Sequence, residues 1–361
     1  MTDHVSRPPG TDPEADLEWC HEAVQGVSRT FALTIDVLDE PMSTHICLGY
    51  LLCRVADTVE DANHIPPEPQ AALLRQYDAA IDPESDTDID EFRTAVDEWL
   101  PENTDNVADD DWIVVAEAPR IIAAFEELPA DVQNAIIPPV RELIDGMAMF
   151  VERHADAGGL RIDDADELEE YCYYAAGTVG NLITNLLTRG DLAADRRQRL
   201  YDTAVEFGLL LQLVNISKDV YDDYTEENNV YLPAEWLADE GIDQEAVVDP
   251  DNREDAAAVV SRTVSHARSF LDDAEGYLQA MPLRHGNTLA AWGVPFLLAV
   301  GTLRELAARP EDALTERGVK ISRQEVGAVM SAMHGDGGES LSDLRERIAH
   351  QPYHRAVSNA D

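Results

Sequence analysis

The chain has 361 residues, and 72 Asp and Glu against 26 Lys and Arg give it a formal charge of −46. That balance argues against nucleic acid as a partner, since phosphates would be repelled, and a 45% hydrophobic content argues against a disordered acidic chain. Lysine occurs only at Lys218 and Lys320, a composition that predicts a halophilic protein, because at roughly 1 M salt the Debye length falls to about 3 Å and self-repulsion is screened.

The first residues, MTDHVSRPPGTDPEAD, hold no apolar core and do not read as a signal peptide. Residues 1–15 are expected to be a tail. Pro41 suits a first helical position, and MSTHICLGYLLCRVADTVEDA behind it reads as one long helix. Residues 81–111 are acidic and poorly periodic, and predict a solvated insertion. Helices are expected over 130–154, 165–187, 193–224, 253–280 and 288–308, from apolar residues at three- and four-residue spacing. The last of these holds the longest apolar run, about 15 residues interrupted by Gly293 and Pro295, which suits a buried core helix better than a membrane span. No alternating strand pattern appears. The expectation is one all-α domain over 16–355, with 356–361 as a second tail. Cys20, Cys47, Cys53 and Cys172 form no CxxC pair and sit in apolar stretches, as buried thiols of a reducing compartment do.

Acidic residues make up about a fifth of the chain, so chance alone sets acid at both i and i+4 about 14 times. Two pairs stand apart because each closes an otherwise apolar helix. Asp57 and Asp61 follow GYLLCRVA, and Asp219 and Asp223 follow GLLLQLVNISK. On a helix, i and i+4 share a face, so each pair can present two hard oxygen ligands, as Mg²⁺ requires when substrate phosphates complete its shell. The plainer reading is two acidic pairs capping helix ends. Lys218, Arg29 and Arg54 lie close in sequence to these pairs and could meet diphosphate oxygens. For the arginines the plainer reading is neutralisation of a neighbouring acid; for Lys218 that is weaker, because this chain otherwise uses arginine. The histidines, His154 among them, show no metal-ligand spacing.

SRTF (28–31), YLLCRVADTVED (50–61), YCYYAAGTVGNL (171–182) and LQLVNISKDVYDD (211–223) occur in the order and spacing of the squalene and phytoene synthase family, and the chain resembles that family from about residue 19 to about 353. The resemblance implies an all-α isoprenoid-synthase fold, with the two aspartate motifs facing each other across a cavity. DTVED and the middle segment 117–153 are similar to the squalene-forming branch, and GVKISR (318–323) resembles its nicotinamide loop, which gives Lys320 and Arg323 a role in cofactor binding. YCYYAAGTVG and VYLP read as much like the phytoene-forming branch.

The resemblance implies joining of two farnesyl diphosphates head to head through a cyclopropyl diphosphate, then reduction by NADPH to squalene. The phytoene-forming alternative would take geranylgeranyl diphosphate without a reductant. A third possibility, a non-catalytic helical protein of this fold, has no need of both aspartate motifs. By resemblance Asp57, Asp61, Asp219 and Asp223 hold Mg²⁺, and Tyr171 is the acid/base or cation-stabilising group at the reacting carbons. Ser28, Arg29, Phe31, Tyr50, Arg54, Val179, Ile183, Leu211, Gln212, Asn215 and Lys218 contact substrate. Three departures from the family pattern matter. Lys218 stands for the usual arginine, Asp222 for the usual glutamate, and Asn228-Asn229 for a Gly-Arg that binds phosphate. The chain ends in polar SNAD rather than an apolar anchor, so a cytoplasmic location with peripheral membrane contact is expected.

Overall fold

In the computed structural model, which describes residues 12–101, 108–282, 288–334 and 339–358, the three- and four-residue apolar spacing is realised as packed helices. Among the described residues there is no strand, only an isolated parallel bridge between Arg161 and Val230. The chain divides into two compact units, Met1–Glu152 and Arg153–Asp361.

The first unit holds α1 (Pro13–Val27), α2 (Arg29–Val37), α3 (Met42–Glu60), α4 (Pro67–Ile81), α5 (Ile89–Val96), α6 (Ala108–Ala116), α7 (Ala118–Glu126) and α8 (Ala130–Arg153). Helix α3 is buried nearly all round, with Leu48, Leu51, Leu52 and Val55 at 0% exposure, as expected of a central helix. It packs on α1, α2, α4, α6 and α7. The amide of Gln70 donates to the carbonyls of Val59 (2.9 Å) and Glu60 (2.6 Å), capping the end of α3 that carries Asp57 and Asp61. Within the expected solvated insertion, α5 instead buries Phe92 and Val96 completely, with Phe92 5.0 Å from the Tyr77 ring. The acids there line an amphipathic helix, not a free loop; residues 102–107 lie outside the described residues.

The second unit holds α9 (Ala165–Cys172), α10 (Thr178–Leu187), α11 (Ala194–Asp222), α12 (Ala234–Asp239), α13 (Arg253–Ser269), α14 (Leu271–Ala280), α15 (Thr288–Ala308), α16 (Arg323–His334), α17 (Leu341–His350) and α18 (Tyr353–Ser358). The helix expected over 165–187 is interrupted by a π-helical turn at Tyr173–Gly177, and α11 ends in another at Asp223–Glu227; such turns gather at functional sites. The helix expected over 253–280 divides at Phe270 into α13 and α14. Helix α11 packs on α10, α13, α14 and α15. Its contacts with α10 and with the π turn before it are backbone to backbone: a Cβ at Gly180 would lie 2.1 Å from the Ala204 carbonyl oxygen, and one at Gly208 would lie 2.3 Å from that of Ala176 in the π turn. Helix α15 is long and apolar enough to cross a membrane by length and composition, yet 67% of its most apolar window is buried within the fold. Of the expected tails, 1–11 and 359–361 lie outside the described residues, while α1 starts at Pro13 and α18 runs to Ser358.

Candidate active site

In the first unit the pattern SRTF turns α1 into α2. The Ser28 hydroxyl accepts a hydrogen bond from the Phe31 amide at 3.2 Å and caps α2. Arg29 opens that helix, and its side chain lies outside the described residues. Phe31 stacks on Tyr50 of α3, with centroids 4.0 Å apart and planes 20° apart. One turn further along α3, Arg54 Nε donates to Asp111 at 2.8 Å, both side chains about a quarter exposed. Burial pushes the Tyr50 phenol up to about 12, against the Arg54 charge and a hydrogen bond with Ser28. Ser28, Phe31, Tyr50, Arg54 and Asp57 are therefore gathered at one place.

Asp57 and Asp61 are half-buried. Burial raises the Asp57 carboxyl to about 7; Arg54 opposes the shift, and Asp61 and Asp111 add to it. The Asp61 carboxyl is raised by burial too, against a hydrogen bond from the Glu60 side chain and the Arg54 charge. Burial counts against the Arg54 charge, but the Asp111 hydrogen bond and the Asp57 charge outweigh it and hold the guanidinium firmly protonated. With Arg54 already bound by Asp111, the two carboxylates repel each other in a half-buried place. A further cation would relieve that repulsion.

In the second unit, Leu211, Asn215, Asp219 and Asp223 recur every four residues along α11 and lie on one face. They stay half-buried or exposed, while Leu210, Leu213, Val214 and Val220 fill the core. Gln212 flanks this face and is half-buried. Lys218 pairs with Asp219, so the aspartate carries its own neutralising cation. Asp223 ends α11, and its carbonyl accepts the Asn229 amide at 2.9 Å. Asp223 lines a small cleft with Ile216, Val220, Asn229, Val230 and Tyr231 among others. Val179 is half-buried on α10, whereas Ile183 is a core side chain at 3% exposure.

Tyr171 is 4% exposed and its hydroxyl shares a 3.1 Å hydrogen bond with that of Tyr231. The rings lie 4.8 Å apart. Sequence reasoning singled out neither Tyr231 nor Asp111. Nothing in VYLP or in the acidic run 109–111 separates those residues from their neighbours, and both partnerships cross more than 50 positions of chain.

The Asn228-Asn229 departure has a structural outcome. Asn228 takes the left-handed conformation, φ 60°, which asparagine tolerates better than other non-glycine residues. Arg161 holds it, donating from Nη2 to Asn228 Oδ1 at 2.9 Å and from Nη1 to the Asn228 carbonyl. The Asn228 amide in turn donates to the Gly158 carbonyl at 3.0 Å. Asn229 is a buried amide at 4% exposure rather than a cation. Lys320 and Arg323 are exposed, Lys320 two residues after the left-handed Gly318 and Arg323 at the start of α16. The start of α16 is pinned by buried Glu325, which takes two 2.9 Å hydrogen bonds from Arg304 and one of 3.0 Å from the Tyr353 amide.

Oxygen-only pairs of this kind fit Mg²⁺, which needs one or two carboxylates when water and phosphate complete its shell. Among the described residues no group of three or more His, Cys, Asp or Glu side chains gathers to hold a metal unaided. The exposed cations of 318–323 fit the phosphates of a nicotinamide cofactor.

The sequence profile described as Squalene/phytoene synthase matches residues 24–325. The chain is 25% identical over 329 residues to a squalene synthase of Schizosaccharomyces pombe, covering 91% of this chain and 67% of that protein. It is 27% identical over 296 residues to squalene synthase 1 of Arabidopsis thaliana, covering 81% and 65%. The chain thus spans about two thirds of the length of these curated relatives. A solved structure of TcSQS with the ligand BPH1237 superposes with a TM-score of 0.72 at 23% identity, covering 96% of this chain and 100% of that one. A dehydrosqualene synthase in complex with ligand gives 0.62 at 19%, covering 90% and 98%. At these identities the likeness shows the all-α isoprenoid-synthase fold alone. The profile covers most of the chain, and the protein belongs to the squalene/phytoene synthase family.

Proposed function

We propose that the protein is a prenyltransferase that condenses two farnesyl diphosphates head to head to presqualene diphosphate and reduces this to squalene with NADPH. In this reading both units serve one catalytic domain over 16–355, in a salt-rich cytoplasm with peripheral membrane contact. The observation that carries it is the Asp57–Asp61 pair, half-buried and mutually repelling, with the nearby Arg54 charge hydrogen-bonded to Asp111 and too weak to cancel the burial. Asp57, Asp61, Asp219 and Asp223 would hold Mg²⁺, which when bound neutralises diphosphate and eases its departure.

The chain's own residues supply the rest. Arg54 keeps a positive charge beside Asp57, and Lys218 offers an ammonium beside Asp219 for diphosphate oxygens. Lysine is a less fork-like donor than the family's arginine, so it acts as a point charge. The stacked Phe31 and Tyr50 offer a flat apolar surface to a prenyl chain in the first unit, and Val179 and Leu211 do so in the second. Apolar walls keep water from cationic intermediates. Tyr171 holds a proton at Oη for the reacting carbons. Lys320 and Arg323 would bind the phosphates of NADPH, the source of two electrons for the second half-reaction.

The segment VYLP supports a second reading, the phytoene-forming reaction on geranylgeranyl diphosphate. A product assay in molar KCl with Mg²⁺ separates the two. Squalene from farnesyl diphosphate with NADPH, and a cyclopropyl diphosphate without it, is the expected result. Phytoene from geranylgeranyl diphosphate with no reductant would establish the alternative. Asp57→Asn and Asp219→Asn should each lower turnover by about 100-fold or more with the fold intact by circular dichroism. Survival of activity in either variant would overturn the metal-site assignment.

A further inference from the structure

Tyr171 reaches back into the fold through a chain of hydrogen bonds to Tyr231, Asn229, Glu227 and Leu160. Its hydroxyl meets that of Tyr231 at 3.1 Å. Asn229 Nδ2 donates to the Tyr231 hydroxyl at 3.2 Å and to Glu227 Oε2 at 3.4 Å. The Leu160 amide donates to Asn229 Oδ1 at 2.8 Å, which settles the orientation of the side-chain amide: with the oxygen turned to a backbone N–H, both protons of Nδ2 must point at Tyr231 and Glu227. Tyr231 and Asn229 are 6% and 4% exposed, so water does not compete for these bonds. The frame around them is rigid. The Arg161–Val230 bridge and the Arg161 bonds to Asn228 hold the strap 228–232 on both sides of Asn229. Gly159 permits the close approach, since a Cβ there would lie 2.1 Å from the Asn228 carbonyl oxygen.

We infer that Tyr231, oriented by Asn229, is a positioning residue for Tyr171: it fixes the direction of the Tyr171 hydroxyl and supplies hydrogen-bonding support to its oxygen. The inference rests on the reading of Tyr171 as the group at the reacting carbons. The amide donor at Tyr231 polarises its O–H, and polarised donors strengthen the next bond in a chain. Charge that builds on Tyr171 Oη is then met by a donor already in place, at no cost of reorganisation. It also gives the Gly-Arg to Asn-Asn departure a purpose: the residue at 229 serves the buried tyrosine instead of a phosphate.

The test is a double-mutant cycle on the full chain. Tyr231→Phe keeps the ring and its packing and removes only the hydroxyl. The expected result is a kcat about tenfold lower with KM for farnesyl diphosphate within about twofold. Because Tyr231 acts through Tyr171, the Tyr171→Phe/Tyr231→Phe double variant should be no slower than Tyr171→Phe alone. Multiplying losses, or a Tyr231→Phe enzyme with unchanged kcat beside a crippled Tyr171→Phe, would overturn the positioning role and leave the assignment of Tyr171 standing. An unimpaired Tyr171→Phe enzyme would instead overturn the assignment of Tyr171 itself, and the positioning role with it. A readout free of turnover is 3-fluorotyrosine at 171: Tyr231→Phe should move its ¹⁹F resonance, and an unmoved resonance would refute the contact.

Discussion

A carboxylate that is half-buried beside another shows its condition through pH. The Asp57 carboxyl is raised to about 7, chiefly by burial and against Arg54. A group raised in the folded state binds its proton more tightly there than in the unfolded chain. Its contribution therefore favours the fold at acid pH and is lost as pH climbs from the ordinary carboxylate value, about 4, to about 7. On the proposed reading Mg²⁺ would bind the deprotonated pair and restore what is lost. Thermal melts at pH 5 and pH 7.5 are expected to show a larger Mg²⁺-induced rise in Tm at the higher pH, and no such difference in Asp57→Asn. An equal rise at both values would show that Asp57 is not the titrating ligand. Asp57, Asp219 and Tyr171 could be singled out at this scale because local context marks them: acid at the end of an apolar helix, tyrosine within an ordered motif. Asp111 and Tyr231 could not, and Asn229 showed only as a departure from the family pattern, since their partners lie 57 to 69 positions away.

At the scale of elements, periodicity located the main helices but not their interruptions. The residues 165–187 carry an unbroken helical pattern, yet Tyr173–Gly177 adopts a π-helical turn. A single π turn widens the face-sharing spacing over only one turn, too short a change to show against the apolar pattern of the whole helix. The acidic stretch 81–111 misled for the opposite reason: two fully buried side chains, Phe92 and Val96, hold α5 on the core, too few to impose a visible pattern. The close contact of α11 with the π turn at Tyr173–Gly177 is equally silent in sequence, although it makes a firm prediction. Gly208→Ala would set a methyl 2.3 Å from the Ala176 carbonyl oxygen, and is expected to cost about 1–3 kcal/mol in urea denaturation. Gly190→Ala, with nothing within 4 Å, should leave the midpoint almost unmoved. An equal, small effect of both would mean that the π turn yields freely against α11.

For the whole molecule, charge weighs most. A formal −46 over 361 residues penalises the compact state through self-repulsion, and screening removes that penalty. The Tm should rise by several degrees between 0.1 M and 2 M KCl, measured by calorimetry, and a flat profile would refute the halophilic reading. The four buried cysteines fit the expected reducing environment: burial pushes the Cys20 thiol up to about 12 and raises Cys47, Cys53 and Cys172 as well.

By itself the sequence determined the helical class, the two aspartate motifs and the family, because these rest on local periodicity and on short ordered patterns that survive without knowledge of neighbours. Tertiary structure alone decided that Arg54, one turn from Asp57 along α3, donates instead to Asp111, 57 positions further along the chain. It likewise decided that the residue standing for a phosphate-binding arginine is a buried amide tied to Tyr231. Hydrogen bonds and ion pairs are settled by distance in space, and residues far apart in the chain carry no mark of it until the helices pack.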